Sequence, residues 1–256
     1  MSNIKSNTKT ILITGAAGKL GRQFTHHFLN GGHTVVAASR RANTLSALAE
    51  TLKRTPGRFE SVVADLETES GEALAQRLAQ RGLLPHAIVN NAVDLANQEL
   101  PPSGLPTRTQ WRREFDLAVA APFELVMALA DIPSTPLAAV VNIASMYGIV
   151  ARKPALYDDP ARESPIHYGV AKAAMIHMTK ELSVRLAPRI RVNSVSFGGV
   201  EGRVDAAFLT RYADLCPSGR MLREDEVAEP VAFLISDGAT AITGHNLVVD
   251  GGWTVW

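Results

Sequence analysis

The sequence predicts one α/β domain, a three-layer, doubly wound fold in which a seven-stranded, mainly parallel sheet has helices on both faces. Short runs of β-branched residues alternate with longer stretches of helical spacing along the chain. The length of 256 residues suits one large core rather than two generous domains. The first apolar run also leads straight into a glycine-rich turn and a helical pattern. We therefore treat residues 1–256 as a single domain.

Seven strands and six helices are predicted in alternation. The strands lie near Thr10–Thr14, Thr34–Ala38, Arg58–Ala64, His86–Asn90, Ala138–Ile143, Ile190–Ser196 and Asn246–Val249. The helical segments are Leu20–Asn30, Asn43–Lys53, Glu69–Arg81, Thr109–Ala130, Tyr168–Leu186 and Glu224–Leu234. Two segments, Ile149–Pro165 and Gly198–Leu222, carry neither pattern. Both follow the carboxyl ends of strands, where open parallel sheets bind ligands, so residues 198–222 are expected to form a substrate loop.

Composition narrows the partners to small molecules. The chain carries 26 basic and 25 acidic side chains, a formal charge of +1, and thus no global field to gather nucleic acid or an anionic membrane. The polar residues 1–9 are expected to be disordered and resemble neither a signal peptide nor an anchor. No apolar run is long enough to span a bilayer, so we expect a cytoplasmic protein. Its one cysteine, Cys216, and its scattered histidines predict no metal site.

The glycine-rich turn after the first strand predicts a dinucleotide site. Gly15 permits a tight turn, Gly18 lets the backbone approach a pyrophosphate, and Gly21 allows close packing of helix and strand. Unpaired N–H groups at the start of the helix then face the phosphates. The other residues that we place in this part of the site are Ala17, Lys19 and Leu20. A turn that serves geometry alone is the competing interpretation.

The end of the second strand favours NADP(H) over NAD(H). A site for the unphosphorylated cofactor normally has Asp or Glu about twenty residues after the glycines. Here the chain reads Ser39-Arg40-Arg41, and a guanidinium binds a 2′-phosphate with paired hydrogen bonds. Lys19 is a further candidate cation, although an arginine at this position is also able to stack on adenine or remain solvated. Asp65 is assigned to the adenine amino group, and Asn91 and Ala92 to the cofactor backbone.

Three residues predict hydride-transfer chemistry. Tyr168 and Lys172 stand four apart in a helical segment, so their side chains share one face. A neighbouring ammonium is expected to lower the phenol pKa from its usual value of about 10 towards neutrality. Ser145, just past the fifth strand, is placed to donate a hydrogen bond to a substrate carbonyl oxygen. We predict Tyr168 as the acid/base group, Lys172 as its modulator and ribose ligand, and Ser145 as the residue that orients the substrate.

These segments together resemble a short-chain dehydrogenase/reductase of the single-domain branch, a family with a Rossmann fold. The matching segments are Thr14–Gly21, Asn90-Asn91-Ala92, Ser145, Tyr168–Lys172, Arg191–Ser194 and Thr243–Gly252. The resemblance implies an NADP(H)- or NAD(H)-dependent oxidoreductase that forms a homodimer or homotetramer. It also implies that Leu66, Gly198 and Val200 lie in the cofactor site.

One departure from the family pattern affects catalysis. Phe115–Phe123 resembles the segment in which the family carries a fourth catalytic residue, an asparagine, but position 118 is alanine. The family asparagine is thought to bend its helix and to hold a water that relays protons through the lysine. We hypothesise that Ala118 brings slower turnover or a different proton path. A cofactor-binding regulator without activity would also lack this residue, although such proteins tend to lose the tyrosine or lysine.

The substrate is expected to be polar or sugar-like. The 22 residues between Ser145 and Tyr168 exceed the usual family spacing and include several charged residues, which also suit a merely solvated loop. With Phe208–Leu222 and the ending Gly252-Trp253, this segment is similar to dehydrogenases associated with flagellin glycosylation and nonulosonic-acid sugars. A 3-oxoacyl thioester and a simple secondary alcohol are the competing substrates. An isomerase or dehydratase would normally need a larger C-terminal domain.

Overall fold

A computed structural model describes residues 8–256. Seven strands are found there: β1 (Thr10–Thr14), β2 (Thr34–Ser39), β3 (Arg58–Val63), β4 (Ala87–Asn90), β5 (Ala139–Ser145), β6 (Arg191–Phe197) and β7 (Asn246–Val249). Each lies within two residues of its predicted bounds. The expectation of disorder in residues 1–9 falls mainly on residues 1–7, which lie outside the described residues.

All seven strands form one parallel sheet in the order β3-β2-β1-β4-β5-β6-β7. The order reverses direction between β1 and β4, which creates a crevice at the carboxyl ends of these two strands. β5 and β6 pair over seven residues, from Ala139 opposite Arg191 to Ser145 opposite Phe197. The α/β doubly wound prediction is confirmed, and its switch point fixes where a ligand can enter.

The described helices cover both faces of the sheet. They are α1 (Lys19–Asn30), α2 (Ala42–Thr51), α3 (Gly71–Gln80), α4 (Arg108–Phe115), α5 (Ala121–Asp131), α6 (Pro160–Glu163), α7 (Ile166–Leu186), α8 (Ala206–Leu215) and α9 (Ala228–Ile235). Neighbouring residues of β1 point to opposite cores: Ile11 packs with Phe24 of α1, whereas Leu12 packs with Leu125 of α5. The central strands are therefore buried on both faces, as in other parallel sheets.

The helical segment predicted over Thr109–Ala130 is present, but it is not α-helical throughout. α4 ends at Phe115, a π-helical turn spans Asp116–Ala120, and α5 begins at Ala121. Pro122 provides the physical reason, because it has no backbone N–H to donate to the carbonyl four residues earlier, that of Ala118. A wider turn accommodates this missing bond.

The two unassigned segments contain short helices. Residues 149–165 include α6, and residues 198–222 include α8, whose N-cap Asp205 accepts a hydrogen bond from Phe208 N at 2.8 Å. Tyr212 of α8 and Trp253 are buried and stack on each other, with ring centroids 4.4 Å apart. Both segments are therefore folded and packed at the carboxyl ends of β5 and β6. None of the described helices is long and apolar enough to cross a membrane.

Candidate active site

A cavity of about 450 Å³ opens at the switch point of the sheet. It is bordered by the residues that follow β1, β2 and β4, and it ends against α7. The predicted site residues that line it are Gly15, Ala17, Gly18, Lys19, Leu20, Ser39, Arg40, Arg41, Leu66, Asn91, Ala92, Tyr168, Lys172 and Val200. The structure thus brings together most of the residues assigned to the cofactor.

The glycine turn fits a dinucleotide phosphate. Gly15 has a φ of +65°, and a Cβ there would lie 2.8 Å from Ala92 Cα. The N-cap of α1 is Gly18, so no side chain caps the first N–H groups of the helix, and the first turn of α1 contains no acidic residue. The exposed N–H groups and the positive end of the helix dipole suit an anion. Gly21 does not line the cavity, and a Cβ on it would lie 2.3 Å from Gly15 O, so its role is close packing.

Asn91 ties the end of β4 to this turn. Its Nδ2 donates to Thr14 O at 3.0 Å and Gly15 O at 3.1 Å. Its backbone N–H, like that of Ala92, donates to Thr14 Oγ1. Both side-chain donors of Asn91 are therefore used within the chain, and its amide group shapes the glycine turn.

The cavity is lined by cations. Lys19, Arg40, Arg41, Lys172 and Arg203 line it, whereas no Asp or Glu does so among residues 8–256. An acidic group would repel a 2′-phosphate, so this lining suits a phosphorylated ribose electrostatically.

Two of these cations are already engaged by other groups. Arg40 lies 3.3 Å from Asp94 and 3.7 Å from Glu67, two carboxylates that also contact Arg113. Lys19 donates to Val200 O at 3.0 Å and lies 3.6 Å from Glu224, while burial lowers its pKa. Lys19 thus uses part of its hydrogen-bonding capacity within the chain, and its role as a second cation for the 2′-phosphate stays a prediction. Its ammonium holds the loop after β6 against the glycine turn.

Two further predicted residues lie next to this lining. Asp65 stands between Ala64 and Leu66, which line the cavity, and its Oδ1 accepts from Glu67 N at 3.1 Å in the turn after β3. Gly198 lines a second cavity, where a Cβ would lie 2.8 Å from Asp250 Cα. The assignment of both residues to the cofactor stays a prediction.

Ser145, Tyr168 and Lys172 lie close together where the two cavities share lining residues. Ser145 ends β5 and accepts a hydrogen bond from Tyr147 N at 3.2 Å. Lys172 is buried, donates to Ile143 O at 2.7 Å, and has its Nζ 5.7 Å from the centre of the Tyr168 ring. Tyr168 lines both cavities, while Ser145 lines only the second. The predicted trio is thus assembled from β5 and one face of α7.

Burial dominates the electrostatics of this trio. It raises the pKa of Tyr168 and lowers the pKa of Lys172 to about 8. The Ser145 hydroxyl and the Arg152 guanidinium act on the Tyr168 pKa in the opposite direction to burial. The expectation that Lys172 brings the phenol pKa below its usual value is therefore wrong for the protein alone. The cost of burying the charged phenolate outweighs the attraction of nearby cations.

The second cavity, of about 340 Å³, is walled by the two segments that the sequence left unassigned. Tyr147, Arg152 and Tyr157 come from the segment before α7, and Phe208 and Tyr212 from α8. Because it opens beside Ser145 and Tyr168, this cavity is the candidate substrate site.

Sequence reasoning missed a buried polar cluster beside α7. Glu114 is 4% exposed and accepts from Asn97 Nδ2 at 2.9 Å, and Asn97 O lies 2.9 Å from Nε2 of the buried His167. The negative charge of Glu114 raises the pKa of both Tyr168 and Lys172. Glu114 precedes Ala118 by four residues, a spacing that was the available signal for a side chain on the same side of the helix.

Ala118 is buried against Ala144, Ala171 and Met175. It lies in the π-helical turn, so the helix is irregular here without an asparagine.

Residues 8–256 contain no cluster of three or more His, Cys, Asp or Glu side chains able to hold a metal. Cys216 is buried and packs with Met146, Tyr212 and Trp253 as part of an apolar cluster.

Comparison with known proteins places the chain in a family. Residues 15–254 match the family model described as Enoyl-(Acyl carrier protein) reductase. An uncharacterized short-chain type dehydrogenase/reductase, y4vI of Sinorhizobium fredii, is 33% identical over 96% of this chain, which spans 43% of that relative's length. The uncharacterized oxidoreductase YmfI of Bacillus subtilis is 30% identical over 96% of this chain and 98% of its own length.

Two further relatives bear on the substrate. The 3-oxoacyl-[acyl-carrier-protein] reductase FabG of Thermotoga maritima is 26% identical over 96% of this chain and 98% of its own length. The post-translational flagellin modification protein A of Campylobacter coli is 34% identical over 44% of this chain and 45% of its own length. The likeness to flagellin-modification proteins is thus partial but consistent with the matching segments.

Solved structures of similar fold contain nicotinamide cofactors. A short-chain dehydrogenase from Leptospira borgpetersenii with bound NAD+ has a TM-score of 0.83 and 25% identity, with 96% of this chain and 93% of that chain covered. The Pseudomonas aeruginosa RhlG/NADP complex has a TM-score of 0.82 and 25% identity, with 96% of both chains covered. With the family match over residues 15–254, these findings show that the chain belongs to the short-chain dehydrogenase/reductase family and is an NAD(P)-dependent oxidoreductase.

Proposed function

We propose that the protein interconverts a carbonyl and a secondary alcohol by hydride transfer with NADP(H), using Tyr168 as the acid/base group. The observation that carries this proposal is that Tyr168 lines both the dinucleotide cavity and the second cavity. A proton donor must reach the oxygen of a carbonyl whose carbon faces the cofactor. Tyr168 is the residue of the trio that borders both spaces.

Each member of the trio then has a separate task. The bound nicotinamide ring supplies or accepts the hydride. Tyr168 donates a proton to the carbonyl oxygen in reduction and removes it in oxidation. Ser145 donates a hydrogen bond to the same oxygen as negative charge develops there. Lys172, held by Ile143 O, stabilises the phenolate by its positive charge and offers N–H groups to the cofactor ribose.

The preference for NADP(H) is supported by the cavity lining. Arg41 heads α2 and forms no ion pair with any residue among 8–256, whereas Arg40 shares Asp94 and Glu67 with Arg113. We assign the 2′-phosphate to Arg41 first and to Arg40 second. Tighter binding of NADH than of NADPH in equilibrium titrations would overturn this assignment.

The substrate that we favour is a polar or sugar-like carbonyl compound. The partial likeness to a flagellin modification protein and the tyrosine-rich second cavity support it. A 3-oxoacyl thioester is the second candidate, because a 3-oxoacyl-[acyl-carrier-protein] reductase is similar over nearly the whole chain. Product analysis with keto-sugars and 3-oxoacyl thioesters separates them. Turnover of thioesters alone would remove the sugar proposal.

We further propose that the protein acts as a homo-oligomer, a dimer or a homotetramer. Exposed apolar side chains on α9 and β7, Phe233 and Val248, support an interface at this end of the sheet. Light scattering after size exclusion tests this: a monomer at micromolar concentration would contradict it. A regulator without activity is the remaining alternative, which the complete trio of Ser145, Tyr168 and Lys172 disfavours.

A further inference from the structure

A guanidinium lies among tyrosines in the second cavity. The Arg152 Cζ is 4.3 Å from the centre of the Tyr147 ring and 5.9 Å from that of Tyr157. Arg152 Nη1 donates to Tyr157 Oη at 3.1 Å, and the Tyr147 and Tyr157 hydroxyls are 2.9 Å apart. Stacking and this hydrogen bond hold the guanidinium in one place, so it is preorganised for a ligand.

Arg152 also stands beside the reacting groups. Its Cζ lies 5.7 Å from the centre of the Tyr168 ring. It is the single charged side chain among the described residues that line the second cavity, where Gln98, Ser145 and the tyrosines supply the other polar side chains. A substrate bound next to Tyr168 therefore meets one positive charge and no negative one.

Nearby carboxylates do not neutralise this charge. Among residues 8–256, Arg152 forms no ion pair, and one of its five N–H groups donates to a protein acceptor. The acids of its own segment are used elsewhere. Asp158 pairs with Arg211 at 3.1 Å, Asp159 lies 3.5 Å from Arg162, and Glu163 accepts from the backbone N–H of Asp158.

We propose that Arg152 binds a carboxylate of the substrate, so that the natural substrate is an oxo acid or the corresponding hydroxy acid. This inference rests on the proposed function and specifies its substrate class. The planar guanidinium pairs with a carboxylate through two parallel hydrogen bonds. A single cation balances the one charge of a carboxylate better than the charge of nearly two on a phosphate monoester. A sugar acid satisfies this requirement, whereas a neutral sugar does not.

The test compares oxo acids with their methyl esters, which keep the carbonyl and lose the charge. The probes are 2-oxopentanoate, 3-oxobutanoate and 4-oxopentanoate, each with its ester, and dihydroxyacetone phosphate as the phosphate arm. Kd is measured by calorimetry on the NADP-loaded protein, and kcat/KM by NADPH oxidation. The variants are Arg152→Gln and Arg152→Lys. Arg162→Gln is the matched control, because Arg162 is an exposed arginine of the same segment outside the cavity.

For at least one oxo acid, Arg152→Gln should weaken binding about 10- to 100-fold, the size expected for paired charge-assisted hydrogen bonds. Its ester should bind equally to wild type and variant, Arg152→Lys should retain part of the affinity, and Arg162→Gln should match wild type. The NADPH Kd should stay unchanged in all variants.

Two results overturn the carboxylate subsite. The first is that Arg152→Gln changes the Kd of each acid and of its ester equally, which includes the case in which no acid binds. The second is that dihydroxyacetone phosphate binds more tightly than every oxo acid and that its binding depends on Arg152. Arg152-dependent binding without hydride transfer to any oxo acid would instead support the subsite and count against the proposed function. The binding and turnover measurements therefore separate the two failures.

Discussion

The first cavity, proposed for the dinucleotide, and the second cavity, proposed for the substrate, share Tyr168 but are built in different ways. The first is lined mainly by the loops that directly follow β1 to β4, with further cations contributed by α7 and by the loop after β6. The second is formed by residues 146–157 and 198–221, two stretches far apart in sequence, and contains one cation among aromatic rings. The difference teaches that the glycine turn and the arginines of the first cavity can be recognised locally in the sequence, whereas the lining of the second cavity depends on packing between distant segments.

The largest effect is expected at Tyr168, the residue of the trio that lines both cavities. Tyr168→Phe removes the phenolic oxygen and leaves the ring in place. Since positioned acid/base groups contribute about 10²- to 10⁴-fold, we expect a rate loss of that size with an unchanged NADPH Kd. Single-turnover measurements with bound NADPH provide the rate. Tyr212→Phe is the matched control in the same cavity, because the Tyr212 hydroxyl accepts from Gly199 N. An equal loss in both variants would contradict the assignment.

A substitution at Gly15 is expected to weaken cofactor binding in the first cavity without changing the second cavity. Gly15→Ala places a Cβ 2.8 Å from Ala92 Cα and adds a left-handed backbone penalty of about 1–2 kcal/mol. We expect NADPH affinity to fall at least about tenfold, because the phosphate turn must move. Gly32→Ala is the control: its φ is +78°, and nothing lies within 4 Å of the added Cβ. Comparable losses of NADPH affinity in both variants would show that strain alone is responsible.

Substitution of the arginines that line the first cavity is expected to have a smaller effect, limited to NADPH. Arg41→Gln should raise the Kd of NADPH about tenfold, within the range for a charge-assisted hydrogen bond, and leave that of NADH unchanged. Arg40→Gln should have the smaller effect on NADPH, because Glu67 and Asp94 already bind Arg40. Titration of both cofactors against both variants provides the four constants. The opposite ranking of the two arginines would contradict the assignment.

Glu114 connects the trio to the buried cluster and makes a pH prediction. Burial lowers the pKa of Lys172 to about 8, and Glu114 partly opposes this change. Glu114→Gln should therefore lower the Lys172 pKa further. If the ammonium form is required, activity is lost as pH rises through this pKa, so the basic limb of kcat/KM should move to lower pH. The measurement is the pH profile of kcat/KM, which reports the free enzyme.

The control for Glu114→Gln is Glu72→Gln on the exposed face of α3, where Glu72 contacts Gln76. Its basic limb should coincide with that of wild type. Identical profiles for all three proteins would show that the Glu114 charge does not reach Lys172.

The smallest effect is expected at Ala118. If the missing asparagine limits proton transfer, Ala118→Asn should raise turnover about two- to tenfold, less than a complete acid/base group contributes. Ala118→Leu is the control of similar volume, because the site is buried and either larger side chain has an overpacking cost of about 1–3 kcal/mol. Thermal unfolding measures that cost. An unchanged rate and pH dependence in a folded Ala118→Asn would dismiss the hypothesis.

Most of the fold could be predicted from the sequence, because strand patterning and turn chemistry are local. The seven strands were located by β-branched runs, and Gly15 by the need for a tight turn. The π-helical turn at residues 116–120 was missed although Pro122 signalled it, since apolar helical spacing continues through the proline. Helix α8 was missed because its segment combines glycines, charges and aromatic residues without a clear period.

The site was predictable where one residue type serves one task. Tyr168 and Lys172 were identified by a four-residue spacing on a helix, and the structure finds Lys172 buried and Tyr168 half-buried. The partners of Lys19, Arg40 and Asn91 were not predictable, because Val200, Asp94 and Thr14 meet them through the fold. Composition likewise revealed polar crowding after Ser145 without showing that Arg152 alone among its charges lines the substrate cavity.

Transfer of deuterium from the cofactor tests the central claim most directly. NADPH labelled with deuterium at the transferable nicotinamide position is incubated with the protein, the three oxo acids, keto-sugar acids and 3-oxoacyl thioesters. Mass spectrometry then locates the label. We predict deuterium on the former carbonyl carbon of a carboxylate-bearing product with wild type and its loss with Tyr168→Phe. Tight NADPH binding without transfer of deuterium to any of these carbonyl carbons would contradict the proposed oxidoreductase.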